Sequence, residues 1–322
     1  MRAAVLETPG DVPVYREHPD PVAAPGHTAV RVTAVPLVPL DLLCASGTSY
    51  FGRPATPYVP GVQGVGIVES SAALPTGTRV FFSTTAGMAA GDGGMAQRCV
   101  VRDVDVVPVR ADLSDPALAA LGLSGVAAWM ALTWRGRLSP GEHVLVLGAG
   151  GAVGQAAVGA ARVLGAGRVV AVCRTPEAQD RARRLGAAAV VALRGGVDDL
   201  AARIQEATGP VDVVVDPVFG IAATAASRVL APGGRLVNLG GASGDVAEFS
   251  SAVLRGRPAE ILGYTNNALS PEQRREALTA LAEHAARGRI SVAHEPLPLS
   301  EVADAWRRQA TGSPGVRLVL TP

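Results

Sequence analysis

The densest concentration of chemically useful residues is a glycine run. His143–Leu147 is a short apolar stretch, followed by Gly148-Ala149-Gly150-Gly151-Ala152-Val153-Gly154 and then by an Ala-rich, helix-forming segment. Gly148, Gly150 and Gly151 let a chain turn sharply and bring its backbone against a pyrophosphate, while Gly154 lets a helix pack closely on a strand. A helix opening at Ala152 and Val153 would aim its free N–H groups and positive dipole end at that anion. A glycine run alone is a weak signal in a chain with 38 Gly. Its place between a predicted strand and a predicted helix is the context a dinucleotide fingerprint requires. The competing reading is a Gly-rich strand-to-helix turn with no ligand.

The end of the next strand selects the nucleotide. An NAD site wants an acidic residue about 20 positions beyond the glycines, to hold the ribose 2′-OH. Here Val169–Cys173 ends in Arg174 and Thr175. A guanidinium suits a 2′-phosphate, so the expected cofactor is NADPH. Arg181, Arg183 and Arg184 follow, either adding positive field or forming a solvated helix face. Asp216 closes the apolar stretch Val211–Val215, where residues face the ligand crevice of open α/β sheets. Its other reading is a cap on the turn before Pro217. Asn238-Leu239-Gly240-Gly241 closes a further stretch and offers backbone groups, so Leu239 and Gly240 join the candidate cofactor residues.

These residues need elements to position them, and the chain supplies two kinds. Up to about residue 122 it consists of short apolar runs cut by Pro and Gly: His27–Val35, Gly64–Glu69, Thr78–Phe82 and Cys99–Val107. Such spacing predicts an all-β unit of barrel or sandwich type. From 123 to 265, Val144–Leu147, Val169–Val172, Val190–Leu193, Val211–Val215 and Arg235–Leu239 are nearly continuous apolar strands. They alternate with helix-length stretches such as Ala152–Leu164 and Pro176–Leu185. That alternation predicts a doubly wound parallel sheet, and the fold class is α/β. Pro271–Gly288 reads as a helix and Val316–Thr321 as a strand.

Composition removes several alternatives. With 322 residues, 48% of them hydrophobic and a net charge of +1, the chain has core enough for two domains and lacks the basic surplus of a nucleic-acid binder. There is no lysine, which excludes Schiff-base and lysine-base chemistry. Cys44, Cys99 and Cys173 are too scattered for a disulfide framework or a cysteine zinc cluster. The N-terminal residues lack the apolar core of a signal peptide, and no unbroken apolar run suits a membrane span. The expectation is a soluble cytoplasmic protein.

Taken together, the two halves resemble the zinc-independent quinone oxidoreductases of the medium-chain dehydrogenase/reductase superfamily. The resemblance is carried by Val59–Val68, Gly93–Gln97, Ala128–Leu132, Pro140–Val146, the glycine run, Val211–Asp216, Pro232–Val237 and Arg317–Pro322, in that order. It implies a GroES-like β-barrel catalytic domain at 1–122 and 266–322 and a Rossmann NADP-binding domain at 123–265. It also implies a homodimer joined through Rossmann sheet edges. Zinc-dependent relatives carry Cys where this chain aligns Val38, and Gly-His-Glu where it has Gly61-Val62-Gln63. The five histidines form no ligand-spaced pair, so no metal is expected.

The resemblance also marks a substrate pocket. Val38-Pro39 stands where many relatives have Asn-Pro, and Ala127 where a Thr is common, so the pocket is more apolar than usual. Tyr50 matches an aromatic position of the substrate loop and is the candidate catalytic residue. It would stack on a flat substrate or donate to a developing oxyanion, unless it simply packs on its Pro-rich loop. Asp41 matches a family Asp and holds its own loop through backbone bonds. The implied activity is NADPH-dependent hydride transfer to a quinone or other conjugated carbonyl. The alternatives are an enone or enoyl-thioester reductase dedicated to a biosynthetic pathway, and a non-catalytic NADPH-binding sensor or scaffold.

Overall fold

Two hydrophobic periods in one chain become, among the described residues, two large sheets, of seven and six strands, beside a small two-stranded one. The computed structural model describes residues 1–312 and 315–322. The chain divides into a unit of Met1–Gly122 with Val292–Pro322 and a unit of Leu123–Ser291.

The first unit opens with an antiparallel pair, β1 (Arg2–Val5) and β2 (Val14–Glu17). Next come β3 (His27–Pro36), α1 (Pro39–Ser46), β4 (Gln63–Ser70), β5 (Arg79–Ser83), β6 (Arg98–Arg102) and β7 (Val106–Pro108). In β3 the side chains of Thr28, Val30, Val32 and Ala34 are buried while Ala29, Arg31 and Thr33 between them are less so, the period of two that packs one sheet face. β3 pairs antiparallel with both β4 and β6, and β5 lies between β4 and β7. The expected strand Cys99–Val107 is cut in two. A single 3-10 turn at Asp103–Asp105 interrupts it, held where Thr28 Oγ1 donates to Asp103 Oδ1 at 2.7 Å.

α2 (Asp115–Met130) follows, and Gly122 breaks it with φ 26° and ψ −137°. With the π-helical turn Ala131–Arg135 it makes a 21-residue stretch apolar enough to cross a membrane by length and composition. Its most apolar window is 67% buried inside the protein, as a core helix is. No unbroken apolar run marks this stretch in the sequence; it reaches the threshold on average, with polar residues interspersed.

The second unit alternates β8 (His143–Val146), α3 (Ala152–Val163), β9 (Arg168–Cys173), α4 (Pro176–Arg184), β10 (Ala189–Ala192), α5 (Val197–Thr208), β11 (Val211–Asp216), α6 (Gly220–Ser227), β12 (Leu230–Asn238), α7 (Ser251–Gly256), β13 (Glu260–Gly263) and α8 (Pro271–Ala286). The strands pair in parallel in the order β10-β9-β8-β11-β12-β13. Val144–Val146 in β8 and Val213–Val215 in β11 are fully buried, as strands covered on both faces must be. Strand order reverses at β8, whose neighbours are β9 and β11. That is the switch point at which open α/β sheets bind ligands.

Residues 266–291, expected in the catalytic half, lie in the second unit. Asn266 Nδ2 donates to the Leu123 carbonyl at 3.1 Å, and His284 stacks on Trp129 at 5.8 Å between ring centroids. Gly159 of α3 abuts Arg289 and Ile290 so closely that a Cβ there would sit 2.9 Å from the Arg289 carbonyl. The chain then re-enters the first unit through β14 (His294–Pro298), α9 (Val302–Ala310) and β15 (Arg317–Thr321), with β15 antiparallel to β3.

Candidate functional site

The glycine loop leaves β8 at the carboxyl edge of the parallel sheet and is tied to both neighbouring strands. Leu147 N donates to Val215 O at 3.0 Å and Ala149 N to Val172 O at 3.1 Å. Three of its glycines are required by contact. A Cβ at Gly148, whose φ is +59°, would lie 2.4 Å from Val218 Cγ1, and one at Gly150 would lie 2.9 Å from Ala178 Cβ. At Gly154 the added atom would come within 2.5 Å of Ala149 Cα and of Gly148 O. Gly151 differs: it is exposed at the N-cap of α3, and its nearest neighbour would be Gly148 O at 3.6 Å. Bare backbone therefore faces open space where the helix begins, with Ala152 and Val153 half-buried in its first turn. The residues fit a dinucleotide diphosphate.

One support carries no sequence signal of its own. Gln155 is buried, and its Nε2 donates to Gly150 O at 2.8 Å, which fixes the loop from below. Gly154→Ala is expected to cost about 2 kcal/mol in denaturant unfolding, because the atoms it meets are backbone and cannot rotate away. An unchanged unfolding midpoint would contradict the close approach.

Arg174 is exposed at the carboxyl end of β9 and has no hydrogen-bond or ion-pair partner among the described residues. Thr175 caps α4, its Oγ1 accepting from Ala178 N at 3.2 Å. Arg183 is paired with Asp180 at 2.7 Å, the solvated-face reading of that helix. Arg194 was not foreseen. Ala192 pairs with Cys173 and Leu193 N donates to Cys173 O at 2.7 Å, so Arg194 emerges at the same sheet edge as Arg174 and Thr175. Only strand register could have revealed it.

Asp216 takes the turn-cap reading. Its side chain is 0% exposed, and Oδ1 accepts from Val218 N at 3.0 Å and Phe219 N at 2.8 Å. Burial raises its carboxyl above the ordinary range, against the pull of these N–H donors and of Asn238. Asn238 Nδ2 also donates to Gly240 O at 2.9 Å, and Leu239 N donates to Asp216 O at 2.8 Å. Leu239 and Gly240 therefore stand at the same edge as the glycine loop, with Asp216 locking their turn.

The candidate substrate residues are placed less uniformly. Val38 is buried at the N-cap of α1, where its N–H donates to Asp41 Oδ2 at 2.9 Å. Asp41 is 2% exposed, and its Oδ1 accepts from Val62 N at 3.0 Å, so it joins α1 to the start of β4. Burial pushes its carboxyl up to about 6, opposed by those N–H donors and by Arg317. Ala127 is buried in α2 of the second unit. Tyr50 is 81% exposed, its ring 4.1 Å from that of Phe51. Cys44 is a buried thiol pushed up to about 11 by desolvation, a poor nucleophile. Among the described residues no three His, Cys, Asp or Glu side chains group as metal ligands.

Comparison with known proteins covers the whole chain. The family model for alcohol dehydrogenase GroES-like domains matches residues 24–111, and that for zinc-binding dehydrogenases matches residues 152–283. One subunit of the phenolphthiocerol/phthiocerol polyketide synthase of Mycobacterium tuberculosis is 31% identical over 99% of this chain, which spans only 15% of that protein's length. Human quinone oxidoreductase is 27% identical over 94% of this chain and 88% of its own. The quinone oxidoreductase of Thermus thermophilus, solved also in complex with NADPH, superimposes with a TM-score of 0.79 at 30% identity, covering 100% of both chains.

Proposed function

The chain belongs to the medium-chain dehydrogenase/reductase superfamily, among its quinone oxidoreductase-like members, and from that premise we propose an NADPH-dependent, zinc-independent reductase of quinones or other conjugated carbonyls. The observation that carries this reading is Arg174, an exposed guanidinium without a partner among the described residues, one strand away from a fitted glycine cradle.

NADPH, when bound, supplies the hydride. The protein's part is binding and positioning. Backbone at Gly151 and the first N–H groups of α3 hold the diphosphate, since they have no partner within the helix. Arg174 takes the 2′-phosphate as a charge-assisted pair. Backbone at Leu239 and Gly240, fixed by Asn238 and Asp216, lines the nicotinamide side of the sheet edge. Val38 and Val62 carry no ligand atom, which supports chemistry without a Lewis-acid metal. Asp41, the buried carboxyl among the candidate pocket residues, is engaged by Val38 N and Val62 N, which favours a quinone: its reduced oxygens take protons from water, whereas an enolate protonated at carbon gains from a placed acid.

Alkene reduction is the second reading, favoured by the polyketide synthase match along 99% of the chain. Anaerobic oxidation of NADPH separates the two, using an aromatic quinone against an enone of similar size. Faster turnover with the quinone is expected. Turnover with the enone alone would move the assignment to alkene reduction. Silence with both, in protein that still binds NADPH, would point to a reductase with one dedicated biosynthetic substrate or to a non-catalytic binder.

A further inference from the structure

One of the backbone anomalies of the second unit lies at the sheet edge assigned to the cofactor. Phe219 has φ 58° and ψ −153°, backbone that is sterically open to glycine and strained for any other residue. It follows β11 directly and precedes Gly220, whose φ is +61°. The surroundings over-determine this conformation. Asp216 Oδ1 accepts from both Val218 N and Phe219 N, and Val218 is wedged against Gly148 of the glycine loop.

The strain has a visible consequence. It carries the Phe219 ring into the apolar cluster beneath the sheet edge, where it meets Phe249 edge-on, with ring centroids 6.1 Å apart. Phe249 ends the segment that follows β12. That segment is held at two further points: Ser243 N donates to Val218 O at 2.7 Å, and Glu248 N donates to Thr224 Oγ1 at 2.9 Å. Between them Val246 is 79% exposed. The 239–249 segment thus rests on the turn after β11 and on α6, with the strained residue itself among its contacts.

We propose that Phe219 is a positioning residue for the nicotinamide half of the bound dinucleotide, its backbone strain and ring contact holding the 239–249 segment at the carboxyl edge of β11 and β12. The inference rests on the cofactor reading above. With Arg174 taking the adenosine end beside β9, a dinucleotide crossing the switch point carries its nicotinamide to the β11–β12 side.

The test compares NADPH with 2′-phospho-ADP-ribose, which keeps the phosphates and lacks the nicotinamide. Binding of both ligands to the unaltered protein establishes the cofactor site by itself. Phe219→Ala is then expected to weaken NADPH about tenfold, as displacement of a positioning group does, and to leave 2′-phospho-ADP-ribose within about twofold. Equal weakening of the two ligands, or of neither, would overturn the positioning role. Strain is read separately by thermal melting. Ala keeps the strained backbone and Gly relieves it, so Phe219→Gly is expected to melt about 3 °C above Phe219→Ala, the reverse of the usual order of these residues. A Gly variant melting below the Ala variant would remove the strain argument. If Phe219→Ala does not fold, Phe249→Ala removes the same ring contact from the other side, and the two-ligand comparison decides in the same way.

Discussion

Arg174→Asp is expected to weaken NADPH relative to NADH by about 100-fold. A charge-assisted hydrogen bond contributes about 1.5–3 kcal/mol, and reversing the charge sets a carboxylate against the phosphate. The same carboxylate can accept a hydrogen bond from the ribose 2′-OH, so NADH binding should hold or improve. Because Arg174 is exposed, the wild-type preference should shrink as salt is raised, which a buried contact would resist. Arg194→Ala should move the same ratio by a smaller factor, since register places it at the same edge one strand further out. Dinucleotide titration by fluorescence measures both. If the ratio is the same in both variants as in the parent, the 2′-phosphate lies elsewhere.

The parts that were legible in the sequence are those whose signals are local. β8, β9 and β11 are near-continuous Val runs, because strands covered on both faces need apolar side chains at every position. Their expected and observed ends differ by at most a residue or so. The glycine run was readable for the same reason: each glycine answers a local contact or turn, at Gly148, Gly150 and Gly154. What failed to show depends on partners distant in sequence. Nothing near Asp216 says whether its carboxyl turns toward a ligand or back to the N–H groups of Val218 and Phe219. Residues 266–291 were expected in the catalytic domain, yet α8 packs where Trp129 receives His284, within the second unit. Phe219 was invisible for a different reason. Sequence reasoning assigns positive φ to Gly, Asn or Asp, so an aromatic residue there can be found only from coordinates. Tyr50 rests on its match to an aromatic position of a substrate loop, and the loop holds it 81% exposed beside Phe51.

The largest stability effect is expected at Asp41, with an unusual dependence on pH. Its carboxyl is pushed by burial from 3.8 to about 6, so the folded state favours the protonated form. The stabilisation from binding that proton is complete below about pH 4 and is lost as pH rises through about 6. A shift of this size is worth about 3 kcal/mol, with no discount for solvent because the group is buried. Nearby, burial pulls the Arg317 guanidinium down to about 10, so for both charges desolvation outweighs their mutual attraction. The carboxylate is nevertheless kept at neutral pH, because it is the acceptor for Val38 N and Val62 N. Asp41→Ala should therefore destabilise at every pH, by about 3 kcal/mol or more, since it leaves the buried N–H groups of Val38 and Val62 without their acceptor. Asp41→Asn cannot titrate. The wild-type advantage over it should fall by about 2 kcal/mol between pH 4 and pH 7, most of the full shift. Carboxyls held low by Arg partners, such as Glu142 and Glu295, strengthen the fold as pH rises, but they do so in both proteins and cancel in the difference. Urea midpoints at pH 4, 5, 6 and 7 measure that difference. A gap that does not change with pH would mean that Asp41 is ionised throughout and that α1 and β4 are joined by a solvated carboxylate.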